Sequence, residues 1–167
     1  MKYIILLLGL LIVTGGTVLS RMKLGDDARD QYDDLFLKYG SVFGVKPEML
    51  KTIAMIESDL GQDYRVKAGK TSGDGKSWGL MQIAPRIGSQ KEIELKGVDT
   101  TASMLNDPET SVRLAAKLLG YLSNKYNGVE DKIVKAYNQG ERNTDNQKTY
   151  ADGYYEKYKK FKNKILA

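Results

Sequence analysis

The 167-residue sequence contains neither cysteine nor histidine. The absence of cysteine excludes thiol nucleophiles and disulfides, and the absence of both residue types excludes zinc sites built from them. Without histidine there is no Ser-His-Asp triad and no imidazole that could act as an acid or base. Any catalysis must therefore use Asp, Glu, Tyr, Lys, Ser or Thr side chains.

The charge balance gives a second, weaker constraint. With 26 basic and 21 acidic residues, the net charge is +5 at pH 7. Such an excess fits attraction to nucleic acid, to anionic lipid or to an acidic cell-wall polymer. The sequence has no zinc-finger spacing, no aromatic ribonucleoprotein motif and no basic heptad region, so we predict no nucleic-acid binding.

A membrane-directed segment opens the chain. The run from Tyr3 to Ser20 is uncharged and lies at the lower limit of the roughly 17 to 25 residues that span a bilayer. It also resembles a long signal-peptide core, although Val18-Leu19-Ser20 is a poor cleavage site. We interpret residues 1–23 as a hydrophobic helix that anchors the protein through residues 3–19, with a cleaved signal sequence as the alternative. Residues 24–167 would form the functional domain.

The remainder of the sequence has helical periodicity and no stretch that alternates enough to require a large sheet. We therefore predict a mainly α domain. A glycine-rich polar region from Ser58 to Ser77 predicts a long loop, and a small hairpin can be accommodated between Ser58 and Ala84. The predicted helices are a stripe from Tyr32 to Phe43 ended by Gly44, a helix from Pro47 to Glu57, one from Pro108 to Tyr126, one from Val129 to about Asn138, and a C-terminal helix bearing Tyr150, Tyr154, Tyr155, Tyr158 and Phe161.

Glu57 is the first candidate for chemistry. It follows Ile53 and Ala54 at helical spacing, so its carboxylate projects from the face that buries the helix. Desolvation there would raise its pKa, as a carboxylic acid needs in order to donate a proton near neutral pH. The alternative is that Glu57 is simply exposed in the last turn of the helix.

Two further segments contain polar or aromatic groups suited to a binding cleft. In the first, Trp78 could stack on a sugar ring and Gln82 could hydrogen-bond a hydroxyl or N-acetyl group. In the second, Tyr137 lies four residues after Ile133 on a buried stripe, so its hydroxyl needs a partner such as a carboxylate or a sugar oxygen.

Taken together, these segments resemble the soluble lytic transglycosylase family. The resemblance rests on Glu57-Ser58, then Gly79-Leu80-Met81-Gln82-Ile83 followed by Pro85, then Ala136-Tyr137-Asn138-Gln139-Gly140, and it covers roughly residues 45 to 155. It implies a lysozyme-like α fold, of the goose-type lysozyme and transglycosylase kind. The cleft of that fold binds alternating N-acetylglucosamine and N-acetylmuramic acid, so the implied partner is a peptidoglycan strand.

Carried over by position, the resemblance gives Glu57 the role of catalytic acid and base and lets Ser58 support the adjacent turn. The other matches are substrate-binding cleft residues: Gln82, Tyr137, Asn138 and Tyr150, beside Trp78 and Ser58. The sequence also departs from the family in three places: a longer span from Glu57 to Gly79, Ala84 where methionine is frequent, and Gln139 where a small residue is usual.

The implied reaction needs one carboxyl group and no metal or other cofactor. Glu57 would protonate the glycosidic oxygen and then deprotonate the muramoyl C6 hydroxyl, which closes a 1,6-anhydro ring. A hydrolase of the same fold would use a second carboxylate, for which Asp59, Asp63 and Asp74 are candidates. The third alternative is an inactive anchored protein that binds the cell wall.

The biological setting stays open at this level. An anchored transglycosylase could serve wall turnover, a secretion apparatus or a bacteriophage that opens the wall, and in the last two cases a larger assembly is a partner. Its substrate places the domain outside the cytoplasmic membrane or on a virion membrane, and cleavage of the N-terminal segment would make it secreted.

Overall fold

The computed structural model describes residues 27–70, 76–84 and 102–167, and most of these residues are helical. Within these ranges the only β-type pairing is a single antiparallel bridge between Trp78 and Ile83. The prediction of a mainly α domain is confirmed, and the hairpin is reduced to this one bridge. The helices are α1 (Asp27–Asp30), α2 (Asp33–Phe43), α3 (Pro47–Ser58), α4 (Tyr64–Lys67), α5 (Ala102–Leu105), α6 (Pro108–Lys125), α7 (Glu130–Gln139), α8 (Glu141–Asp145) and α9 (Asp152–Leu166).

Helix α3 lies at the centre of the packing, since it contacts α2, α6 and α9. Pro47 is its first residue, where the missing N–H costs no helical hydrogen bond. Leu50, Ile53 and Ala54 are completely buried, as their helical spacing predicts. The C-terminal end of α3, which carries Glu57, is thereby held between the other core helices.

Helix α6 is the longest described helix, and sequence signals explain its start and its close packing against α2. The Asp107 side chain caps its start by accepting a hydrogen bond from the Thr110 N–H at 2.8 Å. Gly120 allows α6 to approach the end of α2, because a Cβ atom there would lie 2.5 Å from the carbonyl oxygen of Phe43. The core that these helices enclose is made of Phe36, Leu50, Ile53, Ala54, Leu60, Met81, Leu105, Val112, Ala115, Leu119, Leu122, Val134 and Tyr158, among others.

A buried ion triad fastens the first described residues to α3. Lys51 is fully buried, and its Nζ lies 2.7 Å from a carboxylate oxygen of Asp30 and 2.7 Å from one of Asp33. Burial raises the pKa of Asp33 above its ordinary value, against the opposing effect of Lys51. Because a buried ammonium is costly without anionic partners, the triad fixes the start of α2 against α3.

Four short described helices were not predicted from the sequence, namely α1, α4, α5 and α8. The region from Ser58 to Ser77 contains the short helix α4, so the expected uninterrupted loop is wrong there. Helix α8 follows directly after Gly140, whose φ of 83° lets the chain leave α7 sharply.

The predicted N-terminal hydrophobic helix and its membrane contact at residues 3–19 lie outside the described residues. Of the helices in the described ranges, none combines the length and the apolar character that crossing a bilayer requires.

We expect Lys51→Met to lower the free energy of unfolding by about 3–5 kcal/mol, since it leaves Asp33 buried without its cation. Urea denaturation followed by circular dichroism measures this change. Lys38→Met is the control: it removes an ion pair between Lys38 and Glu109 that is exposed to solvent, and we expect a much smaller effect. Equal losses in the two variants would contradict a special role for the buried triad.

We also expect Asp63 to make stability depend on pH at the acid end. Hydrogen bonds from the Arg65 side chain and then from its backbone N–H lower the pKa of Asp63 from 3.8 to about 2. A lowered pKa stabilises the fold above the unfolded value and loses this effect as pH falls toward the folded value. Between about pH 4 and pH 2, the stability of the wild type should fall more steeply than that of Asp63→Asn. If the free energies of unfolding of the two proteins, measured by urea denaturation, change equally with pH, Asp63 makes no such contribution.

Candidate active site

Glu57 lies in the last turn of α3 and is half-buried. Its Oε1 accepts a hydrogen bond of 2.6 Å from the hydroxyl of Tyr154, on the first turn of α9. The pKa of Tyr154 is raised well above 10 by burial and by the charge of Glu57. Tyr154 is therefore a neutral donor at physiological pH, and one oxygen of Glu57 is held as an acceptor.

Ser58 connects the end of α3 to the turn from Gly79 to Gln82. Its Oγ lies 2.7 Å from the carbonyl oxygen of Leu80, to which it donates, and accepts a hydrogen bond from the N–H of Gly61. Ser58 is only 1% exposed. The structure therefore places Ser58 beneath the site, where it supports the turn.

The turn itself is fixed at its first residue by close packing. Gly79 has a φ of 73°, and a Cβ atom on it would lie 1.8 Å from the carbonyl oxygen of Leu105. No side chain larger than hydrogen fits there. The bridge between Trp78 and Ile83, with two backbone hydrogen bonds of 3.0 Å, closes the base of the turn.

Side chains from two other helices bond both backbone polar groups of Met81 in the turn. The hydroxyl of Tyr137 donates to the carbonyl oxygen of Met81 at 2.7 Å, and the N–H of Met81 donates to Ser111 Oγ at 3.0 Å. The partner of Tyr137 is thus a backbone carbonyl, where the sequence suggested a carboxylate or sugar oxygen. Burial raises the pKa of Tyr137 well above 10, and the charge of Glu57 raises it further. Ser58, the neighbour of Glu57 in the chain, bonds the same turn at Leu80.

The side-chain amide of Gln82 has one hydrogen-bonded atom and one buried atom without a partner among the described residues. Its Nε2 donates to the carbonyl oxygen of Gly79 at 2.7 Å, and its backbone φ is 46°. Its Oε1 is buried and has no hydrogen-bond partner among the described residues. Because a buried acceptor without a partner is costly, a ligand N–H or O–H would satisfy it.

A cleft of about 970 Å³ runs along this wall. It contains Gln82, Tyr137 and Asn138 from the predicted site, whereas Glu57 and Trp78 are not among its lining residues. Asn138 is exposed to the cleft, and Trp78 is half-buried against the core. The other lining residues are Ser77, Ile83, Ala84, Leu118, Leu122, Lys125, Ala136, Gln139, Gly140, Glu141, Arg142, Asp145 and Asn146.

The tyrosine next to Glu57 is Tyr154, which the sequence analysis did not single out. Tyr150, the residue carried over from the family, precedes α9 and is 72% exposed. A signal was present in the helical spacing, because Tyr154 lies four residues before the fully buried Tyr158 and so shares its face.

Two of the three aspartates considered as a second carboxylate are engaged elsewhere. Asp59 has a left-handed φ of 49° at the end of α3, and its two oxygens accept hydrogen bonds of 3.2 and 3.0 Å from Arg29. Asp63 caps α4 and pairs with Arg65 at 2.8 Å. Asp74 lies outside the described residues.

Comparisons with known proteins point to one family. Residues 34–160 match the family model described as Transglycosylase SLT domain. The chain is also 31% identical over 119 residues to the peptidoglycan transglycosylase gp16 of Escherichia phage T7. The match covers 71% of this chain and 8% of the phage protein, so the chain spans a small part of its relative. No solved structure matches the chain.

The match to the family model covers all residues described above as site candidates, and it confirms the resemblance that the motifs indicated. The mainly helical structure is consistent with the lysozyme-like domain that the resemblance implies. The chain belongs to the transglycosylase SLT domain family.

Proposed function

We propose that this domain is a peptidoglycan lytic transglycosylase that cleaves the bond between N-acetylmuramic acid and N-acetylglucosamine without water, with Glu57 as its acid and base. The observation that carries the proposal is the single carboxylate of Glu57, held at 2.6 Å by Tyr154 beside a wall that includes Gln82 and Tyr137. Membership in the family and the name of the phage relative support the substrate class.

In the proposed mechanism the two oxygens of Glu57 have different tasks. Oε1 accepts the hydrogen bond from Tyr154, and Oε2 carries the proton that is transferred. In the first step this proton moves to the glycosidic oxygen, and the C1–O bond of muramic acid breaks. The N-acetyl carbonyl oxygen of the same sugar attacks C1 and carries the positive charge.

The second step returns the proton to Glu57. The ionised carboxylate takes the proton of the muramoyl C6 hydroxyl, O6 attacks C1, and the bond to the N-acetyl oxygen breaks. The product is a 1,6-anhydro ring, and no water is consumed. Tyr154 stabilises the ionised intermediate state of Glu57, because a hydrogen bond to a carboxylate favours its charged form.

The unpaired Oε1 of Gln82 is suited to the substrate rather than to the reaction. An amide oxygen accepts from a sugar hydroxyl or from the N–H of an N-acetyl group. Asn138 on the same cleft offers a further amide. These groups would align the strand along the cleft while Glu57 acts on the bond.

The engagement of Asp59 and Asp63 supports transfer over hydrolysis. A hydrolase of this fold would position water with a second carboxylate, but Asp59 is bound to Arg29 and Asp63 caps α4.

The products of peptidoglycan digestion by the full chain test this proposal. We expect muropeptides ending in 1,6-anhydro-muramic acid, detected by mass spectrometry. In Glu57→Gln their release should fall by about 10²–10⁴-fold, the usual contribution of a general acid. Asp59→Asn is the matched control and should keep the anhydro products. Reducing ends that disappear in Asp59→Asn would indicate a lysozyme, and a folded protein that binds strands without cutting them would indicate the inactive wall-binding alternative.

Tyr154→Phe tests the role of the hydroxyl on Glu57. We expect kcat to fall by about 10–100-fold, as for loss of a hydrogen bond to a charged group. Loss of the bond also favours the protonated form of the Glu57 carboxyl group. On the alkaline side of the pH profile, activity falls as Glu57 loses its proton, and we expect this fall to occur at higher pH in the variant. The pH profile of kcat/KM measures both effects. Tyr150→Phe is the control, and a profile that is changed equally by this exposed tyrosine would contradict the assignment.

We further propose that the domain works outside the cytoplasmic membrane or on a virion membrane, tethered through residues 3–19. The apolar run in the sequence and the location of peptidoglycan support this placement. A phage setting, with local opening of the wall as a genome is delivered, is favoured because the relative belongs to phage T7. When cells that express the full chain are fractionated, we expect the protein in the membrane fraction. In spheroplasts, we expect protease added from outside to digest it.

A further inference from the structure

Gln139, the last residue of α7, uses its side-chain amide to hold three backbone and side-chain groups. Its Nε2 donates to Thr144 Oγ1 and to the carbonyl oxygen of Lys148, both at 3.1 Å. Its Oε1 accepts a hydrogen bond of 2.9 Å from the N–H of Ala151. In the sequence, this glutamine stands where the family usually has a small residue.

The bond to Ala151 fixes the point at which α9 begins. Ala151 is the N-cap residue of α9, it is fully buried, and no side-chain hydrogen bond of its own caps the helix. The N–H of Tyr155 bonds to the Ala151 carbonyl at 2.9 Å, which closes the first turn. Tyr154 lies in that turn, three residues after Ala151.

The body of α9 is docked independently of Gln139. Tyr158 and Ile165 are buried in the core, and Tyr158 donates to Glu130 at 3.3 Å. Loss of the Gln139 amide would therefore leave the helix in place and release its first turn. Since the Tyr154 hydroxyl bonds Glu57 at 2.6 Å, a small shift of this turn is enough to break that contact.

From these contacts we propose that Gln139 is a positioning residue, which sets the first turn of α9 and thereby places Tyr154 against Glu57. It also links two walls of the site, because Tyr137, two residues earlier on α7, holds the turn at Met81. The role in catalysis rests on the proposed function of Glu57.

Steady-state kinetics of the full chain on soluble peptidoglycan strands test the proposal. We expect Gln139→Ala to lower kcat about tenfold and to leave KM within about twofold. Asn143→Ala is the matched control: Asn143 donates to the backbone oxygen of the same Gln139 at 2.7 Å, whereas the N–H of Ala151 bonds the side chain of Gln139. We expect kcat of this variant within about twofold of the wild type. Gln139 also borders the cleft, so an increase in KM alone would overturn the proposal in favour of substrate binding.

A double-mutant cycle separates positioning from a general loss of stability. If Gln139 acts through Tyr154, adding Gln139→Ala to Tyr154→Phe should cost less than about twofold more in kcat. If the fold-loss of kcat in the double variant equals the product of the losses in the two single variants, the proposal is overturned.

A readout that needs no activity distinguishes failure of this inference from failure of the proposed function. The full chain is labelled with ¹³Cζ-tyrosine, and the NMR resonance of Tyr154 is assigned by its loss in Tyr154→Phe. We expect this resonance to shift in Gln139→Ala and in Glu57→Gln. It should not shift in Asn143→Ala. An unchanged resonance in Gln139→Ala overturns the positioning role, whether or not the wild type releases muropeptides. If the wild type releases none but the resonance shifts as expected, the proposed function fails and the positioning role stands.

Discussion

The turn from Gly79 to Gln82 passes through the interior, and its backbone polar groups must be satisfied there without water. Three hydroxyl groups from three helices do this: Ser58 at Leu80, with Ser111 and Tyr137 at Met81. Gly79 meets the carbonyl of Leu105 so closely that a Cβ atom has no space. One turn thus determines how α3, α6 and α7 are arranged, and Glu57 and Tyr137 take their places from it.

The acid and its tyrosine show how packing creates a chemical environment. Glu57 lies in the last turn of a helix that is buried from Met49 to Met55. Tyr154 reaches it from a helix nearly a hundred residues later in the chain. Burial raises the pKa of both Tyr137 and Tyr154, so the hydroxyl that bonds Glu57 and the one that bonds Met81 both stay neutral. Such a site lets the carboxyl group lose and regain a proton while its neighbours keep theirs.

Helix α3 carries the lysine of the buried ion triad in its first half and Glu57 in its last turn. Near its start, Lys51 is buried between Asp30 and Asp33, and this triad specifies how the N-terminal described helices dock. At its end, Asp59 is held by Arg29 from α1. The same N-terminal segment therefore secures both ends of the helix that carries Glu57, and it occupies the aspartate that lies nearest in sequence to the acid.

The sequence by itself determined the helical class, the core face of α3, the caps at Pro47, Asp107 and Gly140, and the candidates Glu57, Gln82 and Tyr137. These follow from local rules, since helical period, capping and motif order depend on residues close together in the chain. Only the tertiary structure decided that Tyr154 rather than Tyr150 meets Glu57, that Tyr137 bonds a backbone carbonyl, that Ser58 lies beneath the site, and that Asp59 and Asp63 are engaged. Except for Asp63, whose partner Arg65 is two residues away, each of these depends on which groups from distant segments meet after packing. Helical period gives the face of a side chain but not the partner that packing brings to it.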